Sequence, residues 1–155
     1  AAAGVERRAG AAARLESIPR EPRLKAVVSY DLGFTQAFDP ASVAAIDIPV
    51  LVIGAGNHQP ELPVAAESRH LAGMLPAATA SYHEIADISH FSIFPLCKPG
   101  AAARLAALGE GDEVICLDGA AGTGGRDRAV LHEELLGLVK NFLREAGFVL
   151  ACDSE

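Results

Sequence analysis

The sequence is poor in aromatic residues, which make up 5% of its 155 residues, and it contains no tryptophan. Platforms on which nucleobases stack are therefore not expected. Basic residues are also few, because 13 Lys and Arg stand against 20 Asp and Glu, which gives a formal net charge of −7. An acidic chain without a basic stripe argues against a nucleic-acid or anionic-membrane partner.

Long hydrophobic runs are absent from the sequence. The longest, such as residues 48–55, are far shorter than the roughly 20 residues that a membrane-spanning helix needs. The chain does not begin with Met and no signal peptide opens it, so we interpret its N-terminus as the start of an excerpt. Half of the residues are nevertheless hydrophobic, which suits a single packed domain over residues 1–155.

Cysteine is scarce as well, with Cys97, Cys116 and Cys152 in the whole chain. No C-x-x-C pair exists, which excludes a zinc ribbon or a thioredoxin-type motif. Four histidines have neither helical i, i+4 spacing nor an acidic partner that would indicate a metal site: His58, His70, His83 and His132. We therefore predict no metal and no other cofactor. Composition alone leaves open whether Cys97 and Cys116 form a disulfide or all three thiols stay reduced.

Strand-like and helix-like segments alternate along the chain. Short apolar or β-branched runs predict strands at residues 24–30, 49–54 and 80–85. Capping residues and apolar spacing predict helices at residues 1–18, 40–45, 64–75, 101–108 and 128–146. This alternation predicts an α/β fold, in which a parallel sheet is flanked by helices and the chemistry lies at the carboxyl ends of the strands.

Three stretches in this order carry a family resemblance: AVVSYDLGFTQAFDPASVAAIDIPVLVIGAG, ISHFSIFPLC, and VICLD followed by RDRAVLHEELLGLVKNFLREAG. The chain resembles the C-terminal half of an α/β-hydrolase over residues 24–148. It is most similar to the dienelactone-hydrolase-like group, which is related to the platelet-activating-factor acetylhydrolases. The resemblance implies that residues 1–155 form the C-terminal portion of such a domain, without the half that bears the nucleophile.

The catalytic triad of that fold runs nucleophile, acid and histidine along the chain, with the nucleophile in a G-x-S-x-G elbow. No serine or cysteine of this sequence has glycine both two residues before and two residues after it. The elbow and the oxyanion-hole residues are therefore expected upstream, and these 155 residues alone are not expected to be active. His90 follows the third predicted strand, and we predict that it is the triad histidine.

The triad acid has more than one candidate. Many α/β-hydrolases carry an Asp after the strand that matches residues 49–54, but this sequence has Asn57 there, and an amide cannot stabilise an imidazolium as a carboxylate does. The related acetylhydrolases place the acid after the preceding strand, where this sequence has Asp31. We predict Asp31 as the acid, with Glu61 as the alternative. The carboxylate of Asp31 is expected within about 2.6–3.2 Å of a ring nitrogen of His90.

The resemblance implies a serine ester hydrolase of the carboxylesterase, lipase or dienelactone-hydrolase type, which cleaves a small-molecule ester through an acyl-enzyme. The alternative is an inactive α/β-hydrolase-like module that binds a partner or has a structural role, which Asn57 and the absent elbow favour. Homodimer formation is left open. Three apolar residues near His90 could line an acyl pocket, although we expect core packing for two of them: Phe91, Phe94 and Leu96.

The resemblance also favours a disulfide between Cys97 and Cys116. We expect their Cα atoms to lie about 4.4–6.8 Å apart. Because disulfides persist in oxidising compartments, a periplasmic or secreted location is favoured over the cytoplasm.

Overall fold

The computed structural model describes residues 21–56, 63–118 and 126–150. The predicted helix at residues 1–18, the alternative acid Glu61 and Asn57 lie outside the described residues. Within those ranges the strands are β1 (Val27–Tyr30), β2 (Val50–Ala55) and β3 (Ala80–Ile85). The helices are α1 (Pro40–Ala44), α2 (Ser68–Met74), α3 (Ala101–Ala106) and α4 (Arg128–Glu145). Short 3₁₀ turns lie at Thr35–Ala37, His90–Ile93 and Asp112–Cys116.

The three described strands form one parallel sheet in the order β1-β2-β3. In its register Tyr30 lies opposite Ile53, which lies opposite His83. The predicted α/β class, with parallel strands and flanking helices, is confirmed. Because parallel strands end at the same edge, the residues that follow β1, β2 and β3 share one side of the molecule.

Strand β2 lies at the centre of the sheet and is buried on both faces. On one face its side chains pack against α4, in a cluster that includes Leu51, Ile53, Ala55, Leu131, Leu135 and Phe142. On the other face they pack against α1 and α2, in a cluster of Val43, Val50, Val52, Leu71 and Leu75. Burial on both faces explains why the sequence of this strand is continuously apolar rather than alternating.

The ends of the helices follow from their capping residues. Asp39 accepts hydrogen bonds from the backbone N–H groups of Ala41 and Ser42 at the start of α1, at 3.4 and 3.0 Å. Asp127 accepts from the N–H of Ala129 at 2.8 Å, so α4 begins where the sequence predicts. After α4, Gly147 adopts a φ of 84°, a left-handed conformation that favours glycine and ends the helix. None of the described helices is long and apolar enough to cross a bilayer.

The predicted start of α2 at Val64 is wrong by four residues, because the helix begins at Ser68. Glu67 is not helical, with φ of −112° and ψ of −93°. Its carboxylate instead accepts a hydrogen bond from the backbone N–H of Thr35 at 2.8 Å, and the Thr35 hydroxyl donates to the main-chain carbonyl of Glu67 at 3.0 Å. These tertiary bonds hold the residues before Ser68 in a turn and connect them to the segment after β1.

The segment between β3 and α4 is linked to itself by a disulfide. Cys97 and Cys116 are bonded, with their Cα atoms 5.7 Å apart, which confirms the expected separation. At the start of α4, the guanidinium of Arg128 donates to the main-chain carbonyls of Pro95 and Ile115 and to the carboxylate of Asp118. Through these hydrogen bonds the buried Arg128 side chain connects the two ends of this segment to the helix.

Replacement of both bonded cysteines, Cys97→Ser together with Cys116→Ser, should lower the free energy of unfolding by about 3 kcal/mol, because the bridge restricts the unfolded chain. The two cysteines are 19 positions apart. Denaturant titration with and without a reducing agent measures this effect. Reduction should bring the unaltered protein to the stability of the double variant and should leave the variant unchanged. Equal stability of the two proteins under oxidising conditions would contradict the prediction.

Candidate active site

Asp31 directly follows β1, and its backbone continues the sheet. Its N–H donates to the main-chain carbonyl of Ile53 at 2.8 Å, yet its φ of 41° is in the left-handed region, which Asp tolerates better than most residues. The side chain is 3% exposed, so its carboxylate needs hydrogen-bond donors within the protein. Oδ1 accepts from the N–H of Ala55, the last residue of β2, at 3.3 Å.

His90 is the first residue of the 3₁₀ turn that follows β3, and a serine pair holds this turn. The Ser89 hydroxyl accepts a hydrogen bond from the N–H of Phe91 at 3.2 Å. The Ser92 hydroxyl accepts from the N–H of Ser89 at 2.8 Å. This reciprocal arrangement is a capping box, and it fixes the backbone on both sides of His90.

The Asp31 carboxylate and the His90 imidazole meet at the carboxyl edge of the sheet. Oδ2 of Asp31 lies 3.0 Å from Nδ1 of His90, although the residues are 59 positions apart in the chain. The predicted juxtaposition is therefore present, while the catalytic roles of the two residues stay predictions. The two carboxylate oxygens have separate partners, because Oδ1 binds the backbone of Ala55 and Oδ2 binds the imidazole.

This hydrogen bond determines what the imidazole can do. A carboxylate accepts, so Nδ1 carries the proton and Nε2 is left as an acceptor in the neutral ring. No residue in the described ranges hydrogen-bonds Nε2, and the side chain of His90 is 38% exposed. A half-exposed imidazole with a buried carboxylate behind it is suited to take a proton from an approaching hydroxyl and to return it later.

Two residues that the sequence analysis did not assign to the site contact the turn of His90. The Tyr30 hydroxyl donates to the main-chain carbonyl of Ser89 at 2.6 Å. Nε2 of His132, on α4, lies 2.8 Å from the main-chain carbonyl of Ser92 and donates to it. No sequence pattern indicates these two contacts, because both side chains bind main-chain carbonyls.

Burial raises the pKa of the Tyr30 hydroxyl well above its usual value, and the nearby negative charge of Asp31 raises it further. The hydroxyl is therefore protonated at neutral pH and acts as a donor. This agrees with its short bond to a carbonyl oxygen, which can only accept.

The apolar residues after His90 differ from the prediction. The rings of His90 and Phe91 meet edge to face with their centroids 5.5 Å apart, and Phe91 contacts Phe94 at 5.8 Å. Phe94 is 42% exposed and Leu96 is 57% exposed. Core packing for two of these three residues is therefore wrong, because the chain leaves the core after Ser92, and the side chains of Phe94 and Leu96 lie at the surface.

The remaining histidines in the described ranges form no cation site. Nδ1 of His70 lies 3.3 Å from the Thr35 hydroxyl, within the connection between α2 and the segment after β1. No group of three or more His, Cys, Asp or Glu side chains in the described part of the chain could hold a metal ion.

Comparisons with protein families, with curated proteins and with solved structures find no match to this chain.

Proposed function

We propose that the protein is a serine ester hydrolase that has the architecture of an α/β-hydrolase, with Asp31 and His90 as two members of its triad. The observation that carries this proposal is the 3.0 Å hydrogen bond between Asp31 Oδ2 and His90 Nδ1. A buried carboxylate and a half-exposed imidazole that is oriented by it are suited to be the acid and base parts of a Ser-His-Asp triad. The sequence resemblance supplies the class of reaction.

In the proposed reaction a serine hydroxyl attacks the carbonyl carbon of an ester while Nε2 of His90 takes the hydroxyl proton. Asp31 stabilises the imidazolium that forms. The tetrahedral intermediate expels the alcohol, which receives the proton from His90, and an acyl-enzyme remains. Water then attacks the acyl group with His90 again as the base. The carboxylic acid leaves and the serine regains its proton.

The proposed serine belongs to a segment N-terminal to residue 1. This segment adds a strand to the outer edge of β1. No described strand pairs with that edge, and Val27 and Val28 of β1 are 39% and 42% exposed. An unpaired edge of this kind accepts a further strand. A parallel strand added there would end beside Asp31, because parallel strands share their carboxyl edge.

A groove beside β1 supports the same position. It has a volume of about 270 Å³, and Val28, Ile93 and Leu136 contribute to its lining. Ile93 and Leu136 are 50% and 53% exposed. Side chains from an added segment would bury this apolar surface, and burial of apolar surface stabilises such packing.

Labelling with a fluorophosphonate probe tests the proposal, on a chain extended N-terminal of residue 1 and on the 155-residue chain. The extended chain should be labelled at one serine upstream of residue 1 and should release p-nitrophenol from p-nitrophenyl butyrate. The 155-residue chain should do neither, and His90→Ala in the extended chain should abolish both. A folded extended chain without labelling or hydrolysis would overturn the proposal in favour of an inactive binding or structural module.

A further inference from the structure

We propose that Tyr30 is a positioning residue for His90: the hydrogen bond from its hydroxyl to the Ser89 carbonyl sets the orientation of the imidazole toward Asp31. This inference rests on the proposed function for its catalytic meaning. Its structural basis is independent of that function, because it concerns which side chains determine the position of the His90 turn.

Two parallel connections join the end of β1 to the start of the 3₁₀ turn. Tyr30 and Asp31 are consecutive at the end of β1, and Ser89 and His90 are consecutive at the start of the 3₁₀ turn. Tyr30 binds the main chain of Ser89 at 2.6 Å, and Asp31 binds the side chain of His90 at 3.0 Å. One bond fixes where the backbone of the turn lies, and the other fixes where the ring points.

The bond from Tyr30 to the main chain of Ser89 is needed because the Asp31–His90 bond alone does not fix the position of the imidazole. A single hydrogen bond between Asp31 and His90 constrains one nitrogen, and the imidazole can still move with its backbone. The Ser89–Ser92 capping box shapes the turn internally, but it does not join the turn to β1. In the described ranges, Tyr30 provides the side-chain connection from β1 to the backbone of the turn.

The opposite side of the turn is held from another element. His132 of α4 bonds the carbonyl of Ser92, two residues after His90. The turn is therefore attached to β1 on one side of His90 and to α4 on the other. Because His132 cannot fix the first residue of the turn, loss of the Tyr30 hydroxyl would release the backbone nearest His90.

The first test measures the geometry without any catalytic assay. Tyr30→Phe keeps the aromatic ring and removes the hydroxyl. Tyr82→Phe is the matched control, because the Tyr82 hydroxyl also hydrogen-bonds, to the Glu84 carboxylate, while its ring packs with the cluster on the other face of the sheet. Nitrogen-15 NMR of histidine-labelled full-length protein reports the share of His90 protonated at Nδ1, with the resonances assigned through His90→Gln.

Tyr30→Phe should shift the His90 nitrogen resonances and lower the Nδ1-protonated share, and Tyr82→Phe should leave both unchanged. Identical His90 resonances in Tyr30→Phe and the unaltered protein would overturn the proposal. If Tyr30→Phe does not fold, 3-fluorotyrosine in place of Tyr30 keeps the ring and makes the hydroxyl a stronger donor. An absent shift of the His90 resonances with that residue would overturn the proposal equally.

The second test uses turnover of p-nitrophenyl butyrate by the full-length protein. Misplacement of a general base lowers the rate of the chemical step. Tyr30→Phe should therefore reduce kcat on the order of tenfold while KM stays within about twofold. Tyr82→Phe should leave both constants unchanged. A change in KM alone would contradict a positioning role. If the unaltered protein hydrolyses no ester, the proposed function fails, and the NMR result still decides the position of His90.

Discussion

Asp31→Asn should lower ester turnover by a factor on the order of 10³–10⁴ while the protein stays folded. Asparagine has nearly the same shape, and it tolerates the positive φ of residue 31 as well as aspartate does. The amide cannot stabilise the imidazolium, and it can present an N–H to His90, which favours the tautomer with the proton on Nε2. The measurement is kcat for p-nitrophenyl butyrate, with circular dichroism to verify the fold.

Asp87→Asn is the matched control for this prediction. Asp87 also follows a strand and lies three residues before His90, but its side chain is 33% exposed and its carboxylate bonds the guanidinium of Arg126 at 2.7 Å. Its replacement should change turnover by less than about twofold, since an exposed ion pair contributes little. Asn57→Ala should likewise change little. Equal and small effects of Asp31→Asn and Asn57→Ala would reject Asp31 as the acid.

Arg128→Gln should lower the free energy of unfolding by about 3–5 kcal/mol. The Arg128 and Asp118 side chains are 5% and 10% exposed, and their closest N–O distance is 2.8 Å. Removal of the guanidinium leaves a buried carboxylate without its cation and takes the donor from the carbonyl of Ile115. A buried charge that has lost its partner is far less favourable than the original pair. Urea titration at neutral pH measures the loss.

Arg126→Gln provides the comparison for Arg128→Gln. Arg126 forms ion pairs with Asp87 and Glu134, but its side chain is 41% exposed, so its replacement should lower the free energy of unfolding far less than Arg128→Gln does. Replacement of the buried pair by apolar residues, Arg128→Leu together with Asp118→Leu, should recover most of the stability lost in Arg128→Gln. Similar losses of unfolding free energy in Arg126→Gln and Arg128→Gln would contradict a large contribution from burial of the Arg128–Asp118 pair.

The sequence predicts the elements whose stability depends on their own apolar pattern. Strand β2 and helix α4 are both confirmed. They were predictable because β2 is buried on both faces, and because α4 places Leu131 and Leu135 on one buried side. The start of α2 could not be predicted, since tertiary bonds between Thr35 and Glu67 determine it. The exposure of Phe94 and Leu96 could not be predicted for a related reason, because apolar composition does not show where the chain leaves the core.

The site divides in the same way. The proximity of Asp31 and His90 is predictable, because both follow strands of a parallel sheet and the carboxyl ends of such strands coincide. The bonds of Tyr30 and His132 are not, because both residues bind main-chain carbonyls. Every residue has a carbonyl, so no sequence pattern indicates which one a tyrosine or histidine will bind. Such contacts become visible only when the fold is known.

The attachment of residues 97–116 at both ends has a consequence for variation in chain length. The disulfide and Arg128 fix the two ends of this stretch, while α3 within it contributes no buried side chain and turns at Gly109 and Gly111 adopt positive φ. The entropic cost of closing a loop rises only slowly with the length of the loop. Insertions between Leu108 and Asp112 would therefore be absorbed without displacing His90, and a peptide-bond cleavage there would leave two pieces joined through sulfur.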